Sequence, residues 1–443
     1  MSDPKRYIVW RKPFTKEFDL LLARSEEHQP GVARYNQEAG VLLLAEEDLR
    51  EVFREKFNTE KQQIYIPDDY AFQLEGTDMP AFTAPGRFVL GADVPIALAY
   101  AGRRNVQPGV NTYNRSQAEA LIEADEIKKF AAGGARKVNV VIVDSGLDSD
   151  YVKSLGHTGA PVKFPAPFPS KPNPRRKVPH HHANAVARNV LKLEKNVTLF
   201  DAAILPERID EVDLFTWDAF WPLLTKLLPQ VLKTPTESWV VVCAWGLLDR
   251  KYDRTTGTFA DDRGHPLSIM FEILTVLGVD VVFSAGNNGQ FWPDIRSGHS
   301  DRGPERSIIG SNGLGNVLTV GAVDAVGGWI GESAQGPEPD GLRRKGVPPQ
   351  KPDVCAPTWF REDGDPNAVL TGTSGACAMA AGVVACVRRR VSQNDLPPTA
   401  LISLIRETAQ HIGYTGGDAR DTPAHYRLGS GIIDCKALKM KLP

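Results

Sequence analysis

The chain has 443 residues, of which 42 % are hydrophobic and 24 % are charged, and this ordinary globular composition excludes a largely disordered protein. The basic and acidic side chains nearly cancel (52 − 54 = −2), so no global field attracts nucleic acid or an anionic membrane. The longest apolar run, residues 239–248, is too short for a membrane helix, and the first residues lack the apolar core of a signal peptide. We therefore expect a cytoplasmic protein with no nucleic-acid or membrane partner.

Residues 1–70 are predicted to form a small α+β unit, because short apolar runs alternate with amphipathic stretches. Its predicted strands and helices alternate along the chain, with strands at 6–10, 40–45 and 63–67 and helices at 18–25 and 46–57. Residues 71–115 contain many prolines and glycines, and this composition predicts a connector.

Residues 116–443 have the pattern of a doubly wound parallel α/β sheet. A helix is predicted over 116–132, with Ser116 as its N-cap and Glu119 completing a capping box. Four continuous apolar runs follow, of the kind found in buried parallel strands, at 137–143, 239–245, 279–285 and 317–323. A helical stretch is predicted between the second and third of these runs, at 265–277. The aromatic insertion 210–232 is predicted to be core helix, with a partner-binding surface as the alternative.

Four polar residues lie at strand ends or helix starts, where an α/β sheet gathers its catalytic groups. Asp144 follows the first buried strand, and Asn287 follows the third. His182 and Ser374 each begin a helix rich in small residues, and a nucleophile gains from the free N–H groups there. Taken singly, each residue also fits a turn or a helix cap.

Together, these residues lie in four ordered motifs that resemble those of the subtilisin-like serine proteases, the subtilases. The motifs are DSG at 144–146, HANAVAR at 182–188, AGNNG at 285–289 and GTSGACA at 372–378. The resemblance extends over residues 116–438. The sequence departs from the family pattern at Ala183, Asn184, Arg188 and Ala378, and this puts the shape of the histidine helix and of a substrate loop in question.

The resemblance implies a serine endopeptidase that forms an acyl-enzyme. Ser374 would be the nucleophile, His182 the general base and Asp144 the group that orients the imidazole. The Asn287 side chain would bind the oxyanion. The family's strand for extended substrate would be Ala244, Trp245 and Gly246. Because Trp245 is bulky, we expect unusual subsites.

The N-terminal unit resembles, more loosely, the inhibitory propeptides of this family. Residues 64–70 (IYIPDDY) would then be the tail that enters the active site. An accessory domain without inhibitory function is an equal alternative. The expected partners are a protein or peptide substrate and a regulatory protein.

No cofactor and no metal is expected. The five cysteines form no CxxC pair and are predicted to be reduced and buried, and consecutive histidines at 180–182 do not converge on one ion. A pseudoprotease or peptide-binding module on the same fold is the competing hypothesis. A nucleotide-binding enzyme is disfavoured, because no GxGxxG follows the first strand of the sheet.

Overall fold

The computed structural model describes residues 113–164, 182–204, 223–250, 259–291, 293–294, 297–343, 351–363, 365–410 and 424–443, together with seven short strands before residue 113. The seven early strands are β1 (Arg6–Trp10), β2 (Tyr35–Asn36), β3 (Val41–Ala45), β4 (Phe57–Asn58), β5 (Gln63–Ile64), β6 (Ala71–Gln73) and β7 (Ile96–Leu98). The later strands are β8 (Val138–Asp144), β9 (Val162–Phe164), β10 (Thr198–Ala203), β11 (Ser238–Cys243), β12 (Trp245–Leu247), β13 (Asp280–Ser284), β14 (Leu318–Val323), β15 (Val354–Pro357), β16 (Phe360–Glu362) and β17 (Asp365–Leu370).

Ten α-helices lie within the described residues. They are α1 (Arg115–Leu121), α2 (Ala124–Ala132), α3 (Ser149–Ser154), α4 (His182–Leu193), α5 (Leu228–Lys233), α6 (Pro266–Val276), α7 (Gly372–Arg388), α8 (Pro398–Thr408), α9 (Ala424–Leu428) and α10 (Cys435–Lys441). None of them is both long and apolar enough to cross a membrane.

The early strands form an antiparallel sheet in the order β2-β3-β1-β6. The predicted strands at 6–10 and 40–45 are present in it. Strand β6 lies in the stretch that the sequence predicted to be a connector, yet it pairs with β1. The helices predicted at 18–25 and 46–56 lie outside the described residues. Phe57, predicted as the last residue of a helix, instead begins β4, which pairs with β5.

A seven-stranded parallel sheet in the order β15-β14-β13-β11-β8-β10-β9 forms the core of the later part, as the sequence predicted. Its strands are buried on both faces, which explains their continuous apolar sequences. Along β8, Val140 and Ile142 face one hydrophobic cluster, whereas Val141 and Val143 face the other. Helices α4 and α7 cover the first face, and α5 and α6 cover the second.

Two helical predictions need correction. The predicted helix over 116–132 is two helices, because Glu123 takes a left-handed conformation (φ 51°) between them. The N-cap is Asn114, not Ser116, and its capping box is completed by Gln117, not Glu119. The insertion does contribute core helix where it is described, since Leu223, Leu227 and Leu228 are buried. All five cysteines are free and buried, as predicted.

Candidate active site

The carboxyl edge of the parallel sheet brings the predicted catalytic residues together. Asp144 is the last residue of β8, and Asn287 follows the end of β13, with β11 between these two strands. His182 is the first residue of α4 and Ser374 the third of α7. Helices α4 and α7 pack on the same face of the sheet, so their first residues meet above it.

A continuous hydrogen-bonded chain joins Asp144, His182 and Ser374. The imidazole Nδ1 lies 2.7 Å from Asp144 Oδ2, and its Nε2 lies 3.1 Å from Ser374 Oγ. All three side chains are buried. Ser374 Oγ also lies 2.8 Å from the Ala244 carbonyl oxygen, a second acceptor that competes with the imidazole for the single hydroxyl proton. This arrangement can move a proton from the hydroxyl to the imidazole.

Asp144 is held as a carboxylate in spite of its burial. Its Oδ1 accepts hydrogen bonds from the Ser145 N–H (2.6 Å) and hydroxyl (2.9 Å). Burial alone would raise the pKa of Asp144, but the neighbouring His182 and the Ser145 donors outweigh it and lower that pKa. The negative charge therefore faces the imidazole, where it fixes the Nδ1–H tautomer and stabilises an imidazolium.

The side-chain amide of Asn287 is oriented by the turn that begins α7. Its Oδ1 accepts from both the main-chain N–H (3.0 Å) and the hydroxyl (2.9 Å) of Thr373. Gly372 adopts φ +71°, and a Cβ there would lie 2.7 Å from Asn287 Nδ2. Only glycine fits this position. The NH₂ group is the remaining donor of this amide, and it lies against Gly372, two residues before Ser374.

The C-terminal end of α7 is bonded to β13, the strand that precedes Asn287. Arg388 in the last turn of α7 makes a two-pronged ion pair with Asp280, the first residue of β13 (2.6 and 2.7 Å). The helix and the strand that carry Ser374 and Asn287 are thus fixed to each other at both ends, which limits sliding between them.

Of the three predicted substrate-strand residues, Ala244 contacts Ser374 through its carbonyl oxygen (2.8 Å), and Trp245 and Gly246 follow it in β12. The Trp245 ring points into the core, however: it is 1 % exposed, packs edge-on against Phe283 and donates from its indole nitrogen to the Val143 carbonyl (3.0 Å). The bulk of Trp245 is accommodated beneath the strand. β12 pairs antiparallel with β7, with Gly246 opposite Ala97.

Asn184 and Arg188 of helix α4, which depart from the family pattern, each have a specific hydrogen-bond partner. Asn184 Oδ1 accepts from the Asp148 N–H (2.9 Å). Arg188 donates to the buried carboxylate of Glu362 (2.9 Å), which also takes two hydrogen bonds from Arg115. Burial would raise the pKa of Glu362, but the hydrogen bond from Arg115 and the nearby cations lower it. The arginine that replaces a family glycine therefore anchors α4 to β16.

Sequence reasoning missed two residues beside the site, Glu332 and Trp359. The Trp359 indole nitrogen donates to the Glu332 carboxyl group, whose main-chain carbonyl accepts from the Gly289 N–H (2.9 Å), and no motif marks either residue. Among the residues that the structure describes, no group of three His, Cys, Asp or Glu side chains could hold a metal ion.

A doubly wound parallel sheet with hydrogen-bonded Asp, His and Ser side chains at its carboxyl edge is the arrangement that the four subtilase-like motifs predict. Residues 239–431 match the sequence model of the subtilase family. The matched range contains Asn287 and Ser374, whereas Asp144 and His182 precede it.

Several solved structures are similar to the chain. MycP1 with its N-terminal propeptide removed is 21 % identical, with a TM-score of 0.44, and the match covers 73 % of this chain and 96 % of that one. MycP1 from Mycobacterium smegmatis is 19 % identical, with a TM-score of 0.42 and coverage of 78 % and 95 %. The prenylagaramide maturation protease PagA is 16 % identical, with a TM-score of 0.43 and coverage of 72 % and 99 %. No curated protein sequence matches significantly.

Proposed function

We propose that this chain hydrolyses protein or peptide substrates through Asp144, His182 and Ser374, by way of an acyl-enzyme. The observation that carries the proposal is the buried hydrogen-bonded chain from Asp144 through His182 to Ser374 Oγ. His182 takes the hydroxyl proton as Ser374 attacks the peptide carbonyl, and it then gives that proton to the leaving amine. Water attacks the acyl-enzyme in the second half of the cycle.

Labelling with a serine-reactive phosphonate separates this proposal from the alternative of an inactive binding module on the same fold. A functional array activates one hydroxyl, so the probe should modify Ser374 alone, as mapped by mass spectrometry. Ser268 is a matched internal control, because its buried hydroxyl meets Ser311 Oγ (3.1 Å) and not an imidazole. An unlabelled Ser374 in folded protein would favour the binding module.

Asn287 is the proposed oxyanion donor. Asn287→Ala should lower kcat by ~10²–10³-fold with KM nearly unchanged, because its NH₂ group bonds the oxygen only once charge develops. Steady-state hydrolysis of a peptide substrate measures both constants. Asn139→Ala is the control, since Asn139 is a buried asparagine near the start of β8 and donates to Glu237 (2.7 Å) far from Ser374. A loss confined to KM would show that Asn287 only contacts substrate.

We further propose that the N-terminal part restrains activity. Strand β12, the expected substrate strand, is paired with β7 through Trp245, Gly246 and Leu247. An extended substrate that adds to β12 would compete with β7 for the same main-chain groups. The prediction that residues 64–70 occupy this place is not supported by Gln63–Ile64, which pairs with β4, and residues 65–70 lie outside the described residues.

Ala97→Pro in the full chain tests this restraint. Proline removes an N–H and disfavours a paired strand, so β7 should release β12 and hydrolysis of a short peptide should rise about tenfold. Ala97→Ser keeps the N–H and should behave like the parent protein. Equal turnover of all three proteins would contradict the restraint and favour an accessory function. The limits of the N-terminal unit, the connector and the catalytic domain stay predictions, as does the cytoplasmic location.

A further inference from the structure

Arg188 is a buried cation that the proposed mechanism does not use. It lies in α4, six residues after His182, and its side chain is 3 % exposed. The guanidinium donates from Nε to Glu362 Oε1 (2.9 Å) and from a terminal nitrogen to the Tyr151 hydroxyl (3.2 Å). Two different nitrogens of one planar group therefore bind two segments of the chain that are distant in sequence.

The first of these segments carries Asp144. Tyr151 lies in α3, which begins five residues after Asp144. A second hydrogen bond joins the same two segments, because Asn184 Oδ1 accepts from the Asp148 N–H (2.9 Å). Asn184 and Arg188 are four residues apart and therefore lie on one face of α4. That face holds the histidine helix against the segment that follows Asp144.

The second segment leads to Ser374. Glu362 is the last residue of β16, which pairs with β17, and β17 ends four residues before Ser374. The Glu362 carboxylate also accepts two hydrogen bonds from Arg115 (2.7 and 2.5 Å), which fix it in place. Its bond to Arg188 thus attaches α4 to a strand pair that continues into α7.

We propose that Arg188 is a positioning residue for the catalytic array, holding α4 in the place where the His182 imidazole meets both Asp144 and Ser374. This inference rests on the proposed function of these three residues. Arg188 acts through the helix and through its partners on the two other segments, and it does not touch the reacting atoms.

Directional hydrogen bonds can supply what the packing of α4 does not. His182 is the first residue of the helix, and the first turn has the fewest intrahelical hydrogen bonds. The apolar contacts of α4 with α7 hold the two helices together, but they are non-directional and leave rotation and sliding weakly restrained. Hydrogen bonds with preferred angles restrain both movements. Proton transfer from Ser374 to His182 needs this precision, since small misplacements slow catalysis strongly.

Arg188→Met is a variant that should fold. Loss of one partner from a buried ion pair is most harmful when it leaves the other charge unpaired. Glu362 keeps both hydrogen bonds from Arg115, so no carboxylate is left alone. Methionine is flexible and apolar and can fill the space of the arginine stem. We expect Tm to fall by no more than a few degrees.

The experiment measures kcat, KM and Tm for the wild type, Arg188→Met and Arg188→Lys, well below the Tm of each protein. Arg188→Met should lower kcat about thirtyfold and leave KM within twofold, because the imidazole is misplaced and the substrate strand is untouched. Lysine keeps the charge but cannot bind Glu362 and Tyr151 with two separate nitrogens. Arg188→Lys should therefore recover most of the loss and remain roughly threefold slower than the wild type.

Arg263→Met is the matched control. Arg263 donates to the buried carboxylate of Glu272 in α6 (2.7 Å), and α6 covers the other face of the sheet from α4. The variant loses an arginine–carboxylate pair as Arg188→Met does, but at a place without contact to the catalytic array. Its kcat should equal that of the wild type, which separates positioning from a general loss of stability.

A folded Arg188→Met with wild-type kcat overturns the inference, as does a change confined to KM or an equal loss of kcat in Arg263→Met. If Arg188→Met does not fold, Arg188→Lys and Tyr151→Phe decide. Tyr151→Phe removes only the hydroxyl that binds Arg188 and should lower kcat roughly threefold. Wild-type kcat in both of these variants contradicts the positioning.

Failure of this inference is distinguishable from failure of the proposed function. The rate of phosphonate labelling of Ser374 is measured on the same preparations, and in Arg188→Met it should fall in parallel with kcat. Equal labelling rates in the wild type and Arg188→Met refute the positioning by Arg188 alone. A wild type whose Ser374 is unlabelled and inert refutes the proposed function, and the inference with it.

Discussion

Ser374→Ala is expected to abolish peptide hydrolysis and phosphonate labelling, with a loss in kcat on the order of 10⁵–10⁶-fold. The hydroxyl is the proposed nucleophile, and neither the imidazole nor the oxyanion donors can replace it. Any residual rate would come from substrate binding and oxyanion stabilisation. Hydrolysis is measured with a fluorogenic peptide at substrate saturation, and peptide binding is measured separately by fluorescence anisotropy.

The stability of Ser374→Ala should change little, so the loss of activity cannot be assigned to unfolding. Ser374 Oγ lies within hydrogen-bond distance of both the Ala244 carbonyl and His182, and the loss of one such bond costs about 1 kcal/mol. That cost corresponds to a shift in Tm of about 2–4 °C. Ser238→Ala removes a similarly buried hydroxyl that bonds Gln393 (3.1 Å), and it should keep full activity. Parent-level hydrolysis by Ser374→Ala would refute the nucleophile.

The strands of the central sheet could be predicted from sequence because burial on both faces leaves an unmistakable apolar run. The strand over 137–143 is observed as Val138–Asp144, and that over 279–285 as Asp280–Ser284. The same logic places Asp144 and Asn287 at one edge, because parallel strands end together. The part of the fold that could be predicted is therefore the part that depends on local hydrophobicity.

Features that depend on contacts between distant residues could not be predicted. The partner of Arg188 is Glu362, 174 residues later, and nothing in either local sequence indicates the pair. The left-handed conformation of Glu123, which divides α1 from α2, has no glycine or proline to signal it. Trp245 was expected to alter the subsites, because its sequence position does not reveal that its ring turns into the core.

Glu332 illustrates the same limit in the active site. Its neighbours in sequence, Gly331 and Ser333, form an ordinary turn, and a glutamate in a turn predicts only a solvated carboxylate. Burial raises the pKa of Glu332 to about 7, against the hydrogen bond from Trp359, and Trp359 comes from a different segment of the chain. Motifs identify the groups that react, whereas the groups that position them emerge only from the packed structure.

His182 carries the second large effect. His182→Ala should lower kcat by roughly 10⁵–10⁶-fold, because the Ser374 hydroxyl then has no acceptor for its proton. The double variant with Ser374→Ala should be no slower than either single variant, since residues that act as a unit fail together. His182→Ala should also be less stable than Ser374→Ala, because it leaves the buried Oδ2 of Asp144 without its imidazole donor (2.7 Å).

The controls for the His182→Ala experiment are the two histidines that precede His182 in the sequence. His180 and His181 lie outside the described residues, and we expect His180→Ala and His181→Ala to keep turnover within a few-fold of the wild type. Among the histidines that the structure describes, His182 has the two contacts that a general base needs, one to Asp144 and one to Ser374. An equal loss of kcat in His181→Ala would shift the assignment by one residue. If the double variant has a lower kcat than His182→Ala alone, the two side chains do not act on the same proton.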